Sequence, residues 1–223
     1  MAAKMNHSKS IGAMTLIELL IVISILAALA TLVIPAMNTT IKGSKLTQAS
    51  QMVGDGLAFA RQSALTRNRP IEVRFYQFAD PQQPGEILKD ASTWKYRAMQ
   101  FFEVPDTGAP IPLGKAQRLP DSIIIDAGGI LSSLLDSKNN SFLKKTWVSS
   151  DPQVNIFTSG TNYNAAAFRF LADGSTNLTA TKSWFLTLHN LTDGDAQTAP
   201  PSNFITLQIE PINGHVTSFR PGN

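Results

Sequence analysis

The side chains best suited to chemistry are few and poorly spaced for it. Of the three histidines, His7 lies ahead of a long apolar run, and His189 and His215 have neither a second histidine at helical spacing nor an adjoining pair of acids. A hydrolytic metal centre therefore has no ligand set in the sequence. There are no cysteines, which excludes disulfide scaffolds, thiolate zinc sites, iron–sulfur ligation and cysteine nucleophiles. Gly128-Gly129 follows a strand-like run but lacks the lysine and hydroxyl residue, or the third glycine, needed to hold phosphate at a helix N-terminus. Asp193-Gly194-Asp195 could offer carboxylates to calcium, yet only Asn190 and Thr192 add side-chain oxygens nearby, against the roughly 6–8 that calcium takes. It reads as an acidic turn. These residues predict no catalytic group, metal or cofactor. One ionisable residue stands out by position instead: Glu18 is the sole ionisable side chain between Lys9 and Lys42.

The element that carries Glu18 is an apolar helix. Met14 to Met37 covers about 36 Å at roughly 1.5 Å per residue, enough for a bilayer core of about 30 Å. Lys4 and Lys9 ahead of it predict a cytoplasmic N-terminus and export of everything after Lys42. A cleaved secretory signal is the rival, but the apolar stretch exceeds the usual ~7–15 residues, and a carboxylate opening it is costly without a partner. Pro35 removes a helical hydrogen bond and should kink or locally unwind the helix after Ile34.

Gly12-Ala13-Met14-Thr15-Leu16-Ile17-Glu18-Leu19-Leu20-Ile21-Val22 resembles the prepilin signal of type IV pilins and type II secretion pseudopilins. The resemblance implies that a prepilin peptidase cuts the leader, that the new N-terminus is methylated, and that Glu18 becomes the fifth residue if the cut falls between Ala13 and Met14. The family usually has Gly before the cut and Phe after it, and Gly12 offers a rival cut one residue earlier. Glu18 would then be neutralised by the ammonium of a neighbouring subunit or its own, making it an assembly device. The family commonly carries a proline at the place of Pro35, the other assembly residue. The implied partners are other pilin or pseudopilin subunits, the peptidase and the inner membrane.

Past Pro35, Leu46, Ala49, Val53, Leu57, Ala60 and Ala64 recur at spacings of 3 and 4, a small-sided stripe that continues an amphipathic helix to about Thr66. Gly54 and Gly56 would let a sheet lie close. Arg61, Arg67 and Arg69 complement the helix dipole near its C-terminus. The run Phe59-Ala60-Arg61, Ala64, Arg67-Asn68-Arg69-Pro70-Ile71 is similar to the helix-to-strand junction of the H-type pseudopilin and FimT-like family. Size and loops also resemble the prepilin-like cassette D proteins of the Verrucomicrobium and Chthoniobacter type.

Pro70 ends the helix, and period-two patterning begins: Ile71, Val73 and Phe75 alternate with Glu72, Arg74 and Tyr76. Further strands are expected over 96–104, 122–126, 166–171, 183–188, 204–210 and 215–219, with a tight hairpin at Asn213-Gly214. Residues 80–85 and 193–202 read as loops, 130–135 as a short helix, and 128–152 as an insertion. The expected fold class is α+β: a long N-terminal helix, membrane-spanning then amphipathic, packed on an antiparallel β-rich head. The chain divides as leader 1–13, assembly helix 14–37, amphipathic continuation 38–69 and head 70–223.

With 43% apolar and 16% charged residues, the 223-residue chain should fold. Its net charge of +3 depends on the leader lysines, without which 17 basic residues face 16 acidic ones. Duplex DNA is therefore not the expected partner, and the tail 214–220 holds one arginine, Arg220, where DNA-binding minor pilins have a cluster. Sequence alone supports a non-enzymatic filament subunit of a secretion pseudopilus or pilus. The alternatives are a DNA-uptake minor pilin and a bitopic exported ligand-binding domain that never polymerises.

Overall fold

A computed structural model describes residues 14–80, 82–87, 90–136, 145–147 and 163–221, with the backbone alone for 32–39 and 145–147. The chain divides into two compact units, 1–41 and 42–223. Helix α1, Leu16–Arg67, is continuous over 52 residues. It runs through Pro35 as helix, so the unwinding expected after Ile34 does not occur: a proline removes one backbone bond, and the helical bonds of neighbouring turns remain.

α1 ends where the sequence placed its stop. Asn68 adopts φ 51°, and the N–H of Arg69 reaches back to the carbonyl of Ala64 at 3.3 Å. This left-handed cap satisfies a terminal carbonyl and turns the chain into Pro70 and the first strand. Arg67 and Arg69 do more than complement the dipole. Arg67 lies 2.9 Å from Glu103 and Arg69 pairs with Glu103 and Asp106, tying the helix end to the sheet.

The head is one antiparallel sheet. Its strands are β1 (Ile71–Phe78), β2 (Lys95–Glu103), β3 (Ile111–Pro112), β4 (Gln117–Arg118), β5 (Ile123–Ile125), β6 (Lys145–Trp147), β7 (Tyr163–Phe170), β8 (Trp184–Asn190), β9 (Phe204–Ile209) and β10 (Val216–Phe219). The order is β10-β9-β8-β5-β2-β1-β7-β6, with β3 and β4 also pairing with β2. The expected strands are thus present, shifted by one to three residues at their ends. Residues 130–135 form turns rather than the expected helix, because Ser132 and Ser133 turn their hydroxyls to the main chain of Thr187 and Phe185 on β8. Part of the expected 128–152 insertion lies outside the described residues.

The small-sided stripe meets the sheet. Leu46, Ala49, Val53, Leu57, Ala60 and Ala64 are buried in one core with Ile71, Val73, Phe75, Phe168, Phe170, Trp184, Leu186 and Leu207. Gly56 is needed there, since a Cβ would stand 2.7 Å from Met99 Cε and Phe101 Cζ, whereas a Cβ at Gly54 would meet nothing. The other face of β1 departs from simple alternation. Glu72, Arg74 and Tyr76 are buried too, because their polar groups are paired within β1 and with the neighbouring strands. Glu72 accepts from Arg74 at 2.6 Å and from Arg169 at 2.9 Å, Arg74 stacks 3.9 Å over the Phe102 ring, and the Tyr76 hydroxyl donates to Gln100 at 3.0 Å. Hydrogen-bonded ion pairs of this kind are what buried charge requires.

The final hairpin is wider than the expected tight turn. A four-residue loop, 211–214, is closed by Glu210 N–H to the His215 carbonyl at 2.9 Å and Gly214 N–H to the Glu210 carbonyl at 2.8 Å. Only Gly214 takes positive φ, +66°, and a Cβ there would lie 2.3 Å from the Gly174 carbonyl. Gly214→Ala is therefore expected to destabilise the head by about 2–4 kcal/mol through strain and overpacking. Equilibrium urea unfolding of the variant against the parent measures it.

Candidate functional site

Two arrangements qualify for attention, one at the start of α1 and one inside the head. At the start, Thr15 and Glu18 close a reciprocal cap. The Glu18 carboxylate accepts from the Thr15 N–H and hydroxyl, both at 2.9 Å, and the Glu18 N–H donates to the Thr15 hydroxyl at 3.3 Å. This is the capping box of a threonine followed three residues later by glutamate. The spacing was available in the sequence, and reading Glu18 solely as an assembly charge missed it. Met14, at the expected cut, is exposed, whereas Gly12 and Ala13 lie outside the described residues. Nothing is described of the Pro35 side chain.

From the cap onward every residue to Thr31 is exposed, including Leu16, Ile17, Leu19, Leu20, Ile21, Ile23, Ile25, Leu26 and Leu29. A soluble surface does not leave so long an apolar face uncovered. The two hydroxyls in it are satisfied within the helix, Ser24 on the Leu20 carbonyl at 2.8 Å and Thr31 on the Ala28 carbonyl at 2.7 Å. Among the described residues no helix is long and apolar enough to cross a membrane, and the side chains of 32–39, on which the expected span depends, are not described.

The second arrangement gives His189, which has no adjoining pair of acids in the sequence, one acid in space. In the fold its Nε2 lies 3.1 Å from Asp126 Oδ2 and its Nδ1 3.0 Å from the Asn190 carbonyl, with both side chains fully buried. Acceptors face both ring nitrogens, the pattern of an imidazolium. Burial alone pushes His189 down, but the Asp126 hydrogen bond, the Asn190 carbonyl and the charges of Asp126 and Asp195 outweigh it and leave its pKa raised. Burial likewise pushes Asp126 up, and the His189, Gln197 and Gly128 hydrogen bonds overturn that, leaving it lowered.

Asp126 and Asp195 stitch two loops together. Asp126 accepts from Gly128 N–H at 2.8 Å and Gln197 N–H at 3.1 Å, while Asp195 accepts from Ala127 N–H at 2.8 Å and pairs with Lys95 at 3.2 Å. Beside them the buried Tyr96 hydroxyl is pushed up to about 12, by burial first and the Asp195 charge second. Asp195 is thus engaged by a lysine and two main-chain N–H groups, and no group of three or more potential ligands for a metal ion occurs among the described residues. A histidine–aspartate dyad with no exposed atom has no route to a substrate, so its role is cohesion of the sheet end. His215 takes no part in it.

No family model matches the sequence, and no curated protein matches it. Solved structures do. The type IV minor pilin FimU of Pseudomonas aeruginosa matches over 81% of this chain and 95% of its own, at 13% identity and TM-score 0.41. The minor pseudopilin EpsH of the type 2 secretion system of Vibrio cholerae matches over 80% of this chain and 99% of its own, at 10% identity and TM-score 0.42.

The tail arginine is already occupied. Arg220 donates to Thr47 Oγ1 at 3.1 Å and to Asn203 Oδ1 at 3.2 Å, tying the end of β10 to α1.

Proposed function

We propose that the chain is a structural subunit of a pilin-like filament, a minor pilin or pseudopilin rather than an enzyme. The observation that carries this reading is the part of α1 up to Thr31: exposed on every side, apolar but for Glu18 at its first turn and the hydroxyls of Ser24 and Thr31. Such a helix needs lipid before assembly and other helices after it. In this reading a prepilin peptidase removes residues 1–13, the new amino group of Met14 is methylated, and the chain waits as a single-pass inner-membrane protein with its head exported. Other subunits then cover the helix, and the head faces outward. The architecture supports the reading, since the stripe from Leu46 to Ala64 is buried on the chain's own sheet while the apolar side chains from Leu16 to Leu29 have no cover within it. A tail with the single arginine Arg220 gives little charge density for a DNA-uptake role.

Intact mass spectrometry of the protein extracted from membranes tests processing. The expected species begins at Met14 and carries one added methyl group. A chain of full length, or one cut near Ala36, overturns the proposal.

A further inference from the structure

The head has an open groove of about 710 Å³ between α1 and the edge of the sheet. One wall is α1 from Ser50 to Gln62, and the other is the end of the β9–β10 hairpin from Gly214 to Ser218, with Leu207 between them. Two arginines bridge the walls at the ends. Arg61 Nε donates to the Asn213 carbonyl at 2.7 Å, and Arg220 reaches Thr47. Between Thr47 and Arg61 the helix rises about 21 Å, the length of roughly six extended residues.

Among the described residues β10 is the terminal strand of the sheet. The bond from Glu210 N–H to the His215 carbonyl sets the phase of its ladder with β9, in which Thr217 opposes Gln208 and Phe219 opposes Thr206. Those two residues turn their main-chain groups to β9, so Val216 and Ser218 turn theirs away from it. Val216 and Ser218 are the β10 residues that line the groove. Val216-Thr217-Ser218-Phe219 contains none of the charges or prolines that usually blunt a free edge. The facing helix wall is kept low by Ser50, Gly54 and Ala58, and a Cβ at Gly54 would touch nothing. Asp55 stands on that wall without an ion pair among the described residues.

We propose that this groove is a strand-addition site: an extended segment of a partner protein pairs with β10 through the main chain of Val216 and Ser218 and sets a basic side chain against Asp55. Main-chain pairing supplies affinity, and among the partner side chains that face the helix wall small or β-branched ones fit over Gly54 while a cation meets Asp55. The site lies wholly within the 42–223 unit and does not depend on the filament reading.

The test uses the full chain, ¹⁵N-labelled in detergent micelles, and two synthetic peptides, Thr-Thr-Lys-Thr-Val, whose first, third and fifth side chains share one face, and its counterpart with glutamate for lysine. The lysine peptide is expected to shift the amides of Gly54, Val216 and Ser218 and to slow exchange of the Val216 and Ser218 protons, with the glutamate peptide at least fivefold weaker. Ser218→Pro removes only an outward N–H, which an edge strand tolerates, and should lower binding at least tenfold with the rest of the spectrum unchanged. Asp55→Asn should abolish the preference between the peptides; should the proline variant not fold, this result and Ser218 protection decide. Absence of any shift at millimolar peptide, or equal binding of the two peptides to the parent, overturns the proposal. So does self-association of the peptide-free chain that Ser218→Pro abolishes, which would assign the edge to a second copy.

Discussion

Glu18→Ala is expected to cut incorporation of the chain into filaments at least tenfold while leaving the head folded and the helix inserted. Glu18 is exposed at the first turn of α1 and is not a member of the head core. Losing a helix cap costs about 1 kcal/mol, which frays one turn of a helix 52 residues long. Losing the charge is the larger effect in the filament reading, because a subunit ammonium would then be buried among apolar helices without its counterion, at a cost of several kcal/mol. Glu18→Gln separates the two: the amide keeps an acceptor for Thr15 and abolishes the charge. Cross-linking in membranes reads the result. If glutamine restores assembly, the capping box matters and the charge does not; if alanine itself assembles normally, the assembly role of Glu18 is wrong.

Asp126→Asn should destabilise the head by about 3–5 kcal/mol, the usual consequence of removing one partner from a buried ion pair. The His189 imidazolium would be left fully buried beside an amide, and the main-chain N–H groups of Gly128 and Gln197 would lose a carboxylate acceptor. For a protein of this size each kcal/mol moves Tm by about 2–4 °C, so a fall of roughly 6–20 °C is expected. The effect must also depend on pH. The raised His189 pKa means that its contribution is complete below the ordinary value of 6.5 and fades as pH rises through the raised one. The lowered Asp126 pKa means that its contribution is complete above the ordinary 3.8 and fades as pH falls through the lowered one. The stability gap between parent and variant should thus be widest between those two values and narrow on the alkaline side. Thermal unfolding across pH 4 to 10 measures it, and a gap that does not change with pH would show that the pair is neutral.

Local rules carried the sequence a long way. The 3–4 spacing from Leu46 to Ala64 is imposed by a helix lying on a sheet, and every residue of that stripe is buried as the spacing required. Asn68 before Arg69-Pro70 holds the helix stop, and Gly214 the hairpin. The run from Met14 to Met37 could be read as an apolar helix with one carboxylate, because a property shared by consecutive residues needs no tertiary information.

Partnerships between distant residues were not legible. His189 and Asp126 are 63 positions apart, and only the pairing of β5 with β8 brings them to 3.1 Å. Arg61 and Arg220 looked like a helix-end charge and a tail charge, yet the antiparallel passage of β10 along α1 makes them the two ends of one groove. The buried far face of β1 was likewise beyond alternation, since its polar residues are held by Arg169, Gln100 and Phe102 from strands that sequence spacing does not order. A period in the chain states which side of an element is apolar; which element covers that side, and which charge meets which, depends on strand order, and strand order is set by long-range pairing energies that no local window contains.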